Sequence, residues 1–274
     1  DQVFLNNVAG ATWSAGVDQG NGYTRYTVTY NSTPLTVDVS NSAGHAPTVS
    51  TVTNGTSAAE TLASTSGVDI LKGGDGADTL SGGAGADVID AGAGDDRVIY
   101  DLADQRIWGG TGTDTVLIGS GGETITVLNV ETVSGGAGND SITVMVGNST
   151  INGAAGTDTV VFGSGGLTLT VSNVEVASGS AGTDTLVLSA ASNISVANIE
   201  TVTGSSAADV ITISAGAGYI AGGSGADTLN GGVGNDTLDG GVGTDSLTLT
   251  SGGTLTLTTA FNISNFESLN IASG

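Results

Sequence analysis

The chain has 274 residues, of which 47 are glycine, 2 are proline and none is cysteine, and its formal net charge is −23 at pH 7. With four basic residues against 27 acidic ones, nucleic acid and anionic membrane surfaces are poor partners and a cation is a good one. Two prolines without a three-residue period exclude collagen, and the lack of cysteine excludes disulfides and thiol chemistry. No apolar run reaches the roughly 20 residues of a membrane-spanning helix, so membrane insertion is not expected. Asp1-Gln-Val-Phe-Leu5 shows neither an initiator Met nor a signal peptide, which reads as a processed product or one piece of a longer polypeptide.

Residues 1–50 alternate as antiparallel strands, with Tyr23–Tyr30 and Leu35–Val39 flanking the turn Asn31-Ser-Thr-Pro34. Trp13 is a core candidate there. So short a segment suits a β cap or partial β-sandwich, and a cap would cover the core and strand edges that an open solenoid end exposes. His45 lies beside Pro47 in a linker, where an exposed role is expected.

Three nonapeptides follow head to tail: Gly73-Gly-Asp-Gly-Ala-Asp78-Thr-Leu-Ser81, Gly82-Gly-Ala-Gly-Ala-Asp87-Val-Ile-Asp90 and Ala91-Gly-Ala-Gly-Asp-Asp96-Arg-Val-Ile99. Three more stand near the C-terminal side, with sixth-position acids Asp227, Asp236 and Asp245. Each reads as a glycine turn, an acid and a short strand with an apolar residue at position eight. The acids run at steps of nine through Glu60, Asp69, Asp78, Asp87 and Asp96, break at Gln105, and resume at Asp114 and Glu123. The spacing continues with short steps through Glu131, Asp140, Ser149, Asp158, Leu167, Glu175, Asp184, Asn193, Glu200, Asp209 and Gly218 to Asp245. Position eight is apolar almost throughout, from Leu62 to Leu247, with Ser195 the one polar member.

About 22 half-turns of this kind, two per coil, predict an all-β fold: a right-handed parallel β-roll, or β-solenoid, over 56–250. At about 4.8 Å per strand, eleven coils make a rod on the order of 50 Å long. Residues 251–274, with Thr254–Thr258 and Asn265–Ile271, are expected to supply closing strands. Between about 100 and 208 the rungs change character. Asn129-Val-Glu-Thr-Val, Asn173-Val-Glu-Val-Ala and Asn198-Ile-Glu-Thr-Val carry Glu in place of Asp and lack the glycines before it. These are expected to be structural rungs. Trp108, just after the break at Gln105, is expected to cover a small bulge.

Stacked coils place each acid above the one 18 residues earlier, so Asp78, Asp96 and Asp114 share one edge while Asp69 and Asp87 share the other. Of the 27 acids, 17 fall on the ladder. Carboxylates about 5 Å apart repel by roughly 1 kcal/mol even at the dielectric of water, so the bare roll should be unstable. A hard divalent cation removes that repulsion, and loose oxygen donors from tight glycine turns favour calcium over magnesium. With His45 the only histidine, zinc and copper are poor candidates.

The blocks Gly73–Ile99 and Gly222–Thr248 resemble the RTX nonapeptide GGxGxDxUx of calcium-dependent bacterial secreted proteins. The match is partial at Gly109–Asp114 and Gly135–Asp140, and weak at Gly153, Gly179 and Gly204. The resemblance implies secretion in one step and folding on reaching calcium outside the cell. The expected carboxylate ligands are Asp69, Asp78, Asp87, Asp96, Asp114, Asp140, Asp158, Asp209, Asp227, Asp236 and Asp245. At Asp140, Asp158, Asp184 and Asp209 a turn or capping role stands equal to ligation. The expected loop glycines are Gly74, Gly76, Gly83, Gly85, Gly92, Gly94, Gly112, Gly138, Gly223, Gly225, Gly232, Gly234, Gly241 and Gly243. Several ions are expected, concentrated in 69–114 and 222–245 and sparse between.

Catalysis is not expected, since no His-Glu-x-x-His, Gly-x-Ser-x-Gly or cysteine nucleophile is present. The resulting expectation is an extracellular, calcium-binding structural protein of the bacterial surface, such as a surface-layer protein or a repeat region of a large surface protein. Its partners would be calcium, further copies or neighbouring domains of the same polypeptide, and cell-surface polysaccharide. The alternative is the accessory roll of a secreted enzyme, toxin or adhesin. An ice-binding roll is weaker, because its flat Thr/Asn array should repeat in every coil.

Overall fold

The computed structural model describes residues 49–249, except 102, 103, 105, 217 and 232–235, together with 263–271 and the backbone of four N-terminal strands between residues 12 and 40. Among the described residues there are strands and no helix. In the N-terminal part, Tyr23–Tyr30 pairs antiparallel with Thr33–Ser40. Trp13's side chain, His45 and the rest of the expected cap lie outside the described residues, as does Thr254–Thr258.

From Val49–Asn54 onward the chain winds as a parallel β-solenoid. Successive strands alternate between a 12-stranded sheet, running from Thr61–Ala63 to Ile263–Ser264, and a 13-stranded sheet, running from Val49–Asn54 to Ser268–Ile271. Arg97 pairs with Thr79 on one side and Thr115 on the other, so each coil takes 18 residues and two nonapeptides. Within a strand the pleat sends alternate residues inward. Leu71, Leu80, Ile89, Ile107, Val116 and Val133 are fully buried, while the Thr and Ser beside them are half-exposed. One inward file per sheet gives a thin aliphatic core.

In the middle of the solenoid the strands lengthen and turn two apolar side chains inward. Ile125 and Val127, Ile142 and Val144, Val160 and Phe162, and Leu169 and Val171 are all buried. The added residue falls two positions after the first, which is where a glycine loop otherwise begins. Gly73 follows Leu71 there, whereas Phe162 follows Val160. A glycine at this site starts a loop; a large apolar residue continues the strand and thickens the core.

The inward file is not a single column. Ile107 pairs with Ile89 below and with Val127 above, so Ile125 lies outside that column. The same two-residue slip recurs where Ile151 meets Val171 and Ala177 meets Val196. This also corrects the phase near residue 193. Asn193 pairs with Val210, Ile194 and Val196 are buried, and Ser195 faces outward. The rung there is Ser192/Ile194, and the apparent polar position eight disappears. Trp108 likewise covers no bulge: it is 41% exposed on the outer face, with the Arg106 guanidinium 5.8 Å from its ring centre.

Candidate metal centres

The acid ladder runs along both edges between the sheets, and its aspartates are almost completely buried, at 0–2% exposure for Asp69, Asp78, Asp87, Asp96, Asp114, Asp140, Asp158, Asp184, Asp209, Asp227, Asp236 and Asp245. Their first oxygens staple coil to coil. Oδ1 of Asp78, Asp96 and Asp114 each accepts the backbone N–H of the acid one coil earlier (Glu60, Asp78 and Asp96), at 2.8, 2.8 and 2.9 Å. Asp87 accepts from Asp69 at 2.7 Å, Asp158 from Asp140 at 2.7 Å, Asp227 from Asp209 at 2.8 Å and Asp245 from Asp227 at 2.8 Å. A hydrogen bond to a charged acceptor contributes about 1.5–3 kcal/mol, so this staircase adds to the cohesion of successive coils.

The second oxygens fall into two classes. In Asp78, Asp87, Asp96, Asp114, Asp158, Asp227 and Asp245, Oδ2 is buried with no hydrogen-bond partner. In Asp69, Asp184 and Asp209 it accepts the N–H of Thr65, Ser180 and Ser205, at 3.0, 2.9 and 2.7 Å. Asp140 accepts weakly from the N–H of Gly136, at 3.4 Å, and Glu60 is held by Thr56 in the same way. The donor is always the residue four before the acid, the second position of the loop.

That residue's backbone conformation separates the classes. Before the seven free oxygens it is left-handed: Gly74, Gly83, Gly92, Gly110, Gly223 and Gly241 have positive φ, and so has Ala154, at 74°. Before the satisfied oxygens it is Thr56, Thr65, Gly136, Ser180 or Ser205, none of which has positive φ. A left-handed second residue turns its N–H away from the carboxylate. Glu123 departs from the rule, with an unpartnered Oε2 although Gly119 is not left-handed.

Position in the stack explains the pattern. Loops form short stacks along each edge, and the satisfied acid is the first of its stack, except where Asp140 stacks on Glu123. Loops 55–60, 73–78, 91–96 and 109–114 form one stack, whose first acid, Glu60, is held by Thr56. Loops 204–209, 222–227 and 240–245 form another, opened by Asp209. Free oxygens occur where a loop already lies one coil below.

Four stacks end in a terminator. Asn129, Asn173, Asn198 and Asn265 have φ of 48–56° and begin tight corners that end in Glu131, Glu175, Glu200 and Glu267. Val127, stacked on Ile107, is followed by Glu131 only four residues later, whereas Ile107 is followed by Asp114 seven residues later. The longer Glu side chain spans the shortened corner. Its Oε2 accepts the N–H of Asp114, Asp158, Asp184 or Asp245, at 2.8, 2.7, 2.8 and 2.6 Å respectively. Val130, Val174 and Ile199 between them are buried. These Glu rungs therefore replace a six-residue loop with an apolar plug and a carboxylate cap. The fourth corner, Asn265-Phe-Glu267, carries the same signature as the other three but was not recognised as one of them from sequence.

The free oxygens fit a hard cation. Several lie in a cradle made by a glycine at the first loop position: a Cβ added to Gly73, Gly109, Gly153 or Gly222 would lie 2.5–2.7 Å from Oδ2 of Asp78, Asp114, Asp158 or Asp227. A Cβ at Gly94 would strike the carbonyl of Gly76 one coil below, so backbone oxygens line the same loops. Gly76, Gly85, Gly112, Gly138, Gly225 and Gly243 occupy this fourth position with positive φ. Gly232 and Gly234 lie outside the described residues. Among the described residues no three acidic or histidine side chains converge as a metal cluster, so an ion in a loop would take at most two carboxylates and complete its shell with backbone oxygens.

Burial is the main force on the charges. Desolvation pushes Asp87 and Asp114 up to about 6, assisted by repulsion from neighbouring acids. Asp96, Asp158, Asp227 and Asp236 move in the same direction for the same leading reason. Lys72 Nζ lies 3.7 Å from Asp90 Oδ2, an acid off the ladder, with both side chains partly exposed.

Residues 55–98, 132–166 and 212–247 match the model of the RTX calcium-binding nonapeptide repeat, in four copies. No curated protein matches the chain. The matched ranges contain all the free-oxygen rungs except Asp114 and Glu123, and the tight Asn-apolar-Glu corners lie outside them. The solenoid and its glycine loops thus carry RTX calcium-binding nonapeptide repeats, in four copies across residues 55–247.

Proposed function

We propose that this calcium-binding β-roll is a structural element of the bacterial cell surface, secreted and folded by calcium outside the cell, and that it does not itself catalyse a reaction. The observation that carries this reading is the continuity of the two sheets, 12 and 13 strands long, through a middle whose coils hold together by apolar packing. A roll needed only to assist secretion and folding has no use for a long section in which glycine loops are sparse and the strands bury two apolar side chains each. A load-bearing rod does. Among the described residues the free carboxylate oxygens number five in 78–114, two at Glu123 and Asp158, and two in 227–245, which supports calcium denser toward the two ends.

Calcium titration followed by circular dichroism, light scattering and electron microscopy tests the reading. Ordered, calcium-dependent assembly of the folded chain is the expected result. Folding to a monomer that stays monomeric at saturating calcium favours the accessory roll of a larger secreted protein, whose active part lies in other domains.

A further inference from the structure

The repeat breaks at Gln105, where the ladder lacks its acid. The chain supplies a substitute one residue away. Asp104 is 4% exposed, its Oδ2 accepts the N–H of Asp101 at 3.2 Å, and its Oδ1 is buried without a partner. Oδ1 is directed toward the loop one coil below. A Cβ placed on Gly82 would lie 2.9 Å from Asp104 Oδ1 and would also strike Asp87 Oδ2. Two orphaned, fully buried carboxylate oxygens therefore converge on one small space above Gly82.

Asp87 already uses its Oδ1 to accept the N–H of Asp69, at 2.7 Å, and Asp101 adds a third negative charge nearby. The Tyr100 hydroxyl does not serve the pair, since it donates to the carbonyl of Thr124 at 2.8 Å. We propose that Asp87 Oδ2 and Asp104 Oδ1 hold a divalent cation between them, a calcium ion bound by two side-chain carboxylates. It would differ from the other loop centres in taking a carboxylate from one position off the ladder, and Asp104 lies outside the matched repeats. The competing arrangement is one proton shared by the two acids. Burial favours that in the absence of metal, raising Asp87 to about 6 and Asp104 to about 8. At neutral pH with calcium present, two carboxylates and a hard cation satisfy both oxygens and neutralise the charge as well.

This inference rests on the chain binding calcium, and the test separates the two. Native mass spectrometry of the calcium-saturated full chain counts the ions in the wild type and in Asp104→Asn. One ion fewer in the variant, with unchanged circular dichroism, is the expected result; an unchanged count in a folded variant overturns the site. Should the variant fail to fold, crystals of the wild type grown in calcium give the answer by anomalous scattering. A peak between Asp87 and Asp104 supports the site. Peaks beside Asp78 and Asp96 with none between Asp87 and Asp104 overturn it and leave the loop centres standing. No peak at any rung overturns both.

Discussion

The glycine-loop rungs and the Asn-apolar-Glu rungs solve the same problem with opposite chemistry. Both must turn the chain through an edge and leave an acceptor for the N–H of the coil below. At Gly109–Asp114 the turn takes six residues, buries a carboxylate with one oxygen free and leaves its charge to a cation. At Asn129–Glu131 it takes three, buries Val130 and caps with Glu131. The loop trades intrinsic stability for dependence on calcium, since a buried unpaired charge costs several kcal/mol. The corner gives up the ion and closes the stack. Alternating the two in one solenoid places most free carboxylate oxygens toward the ends and most doubly apolar strands in the middle.

Removing calcium should therefore have the largest effect, and an uneven one. In excess chelator, hydrogen exchange should lose protection first at 73–114 and 222–247, with the strands from Ile142 to Val202 protected longest. Protection lost uniformly, or first in the middle, would break the comparison between the two kinds of rung. Binding energy is folding energy at such loops, so the difference should be visible well below complete unfolding.

Core truncation should separate the two regions from the other side. Phe162, 1% exposed, fills the second inward position of a middle strand. Phe162→Ala should cost about 3–5 kcal/mol through lost burial and a residual cavity. Because no free carboxylate shares that position, the penalty measured by denaturant unfolding should be the same at low and at saturating calcium. A penalty that calcium erases would show that the middle, too, is held by metal.

The third effect is pH-dependent and should reverse sign with calcium. Asp87, Asp96, Asp104, Asp114, Asp158, Asp227 and Asp236 all have raised pKa values, chiefly from burial. Each binds its proton more tightly folded than unfolded. The metal-free fold is thus favoured below the unfolded carboxylate range near pH 4. It loses that support as pH rises through about 6 at Asp87 and Asp114 and about 8 at Asp104. In chelator, Tm should fall between pH 5 and pH 8. In millimolar calcium the ion requires the deprotonated ligand, so Tm should hold or rise over the same range. A Tm that rises with pH in chelator would mean that the ladder is stabilised by its own charges.

Much of this was legible in the sequence because a solenoid repeats its physics every nine residues. The acid ladder, the inward Leu80, Ile89 and Val98, and the two strands per coil all follow from the period. What escaped was whatever departs from it by one or two residues. Asp104 lies one position off the ladder, so the break at Gln105 hid a carboxylate that the fold brings back. Around Asn193 the middle strand carries two inward residues, Ile194 and Val196, and a phase counted in nines lands on the outward Ser195 between them. The column slips at Val127, Val171 and Val196 depend on corner length, which position-eight counting ignores. The split between free and satisfied oxygens was partly within reach: Thr65, Ser180 and Ser205 stand where Gly74, Gly83 and Gly92 stand in other loops, and a hydroxyl-bearing residue there favours a local turn onto the acid.

Ala154 is where that sequence rule and the structure part, and it gives the smallest prediction. A short side chain suggests an ordinary backbone at the second loop position, yet Ala154 is left-handed with φ 74°, and Asp158 Oδ2 is free. The loop 135–140 lies one coil below, so stacking imposes the conformation that glycine supplies elsewhere. An L residue pays roughly 1–2 kcal/mol for it, while glycine costs roughly 0.5–1 kcal/mol more than alanine in lost chain entropy. Ala154→Gly should therefore stabilise the calcium-loaded chain by about 0.5–1 kcal/mol in denaturant unfolding, with the calcium count unchanged. The same substitution at Ser205 removes no strain, because Ser205 is not left-handed, and it exposes an N–H that already bonds Asp209 at 2.7 Å. Ser205→Gly should be destabilising. If both variants shift stability in the same direction, the conformation of the second residue is not what distinguishes an ion-ready rung from a self-satisfied one.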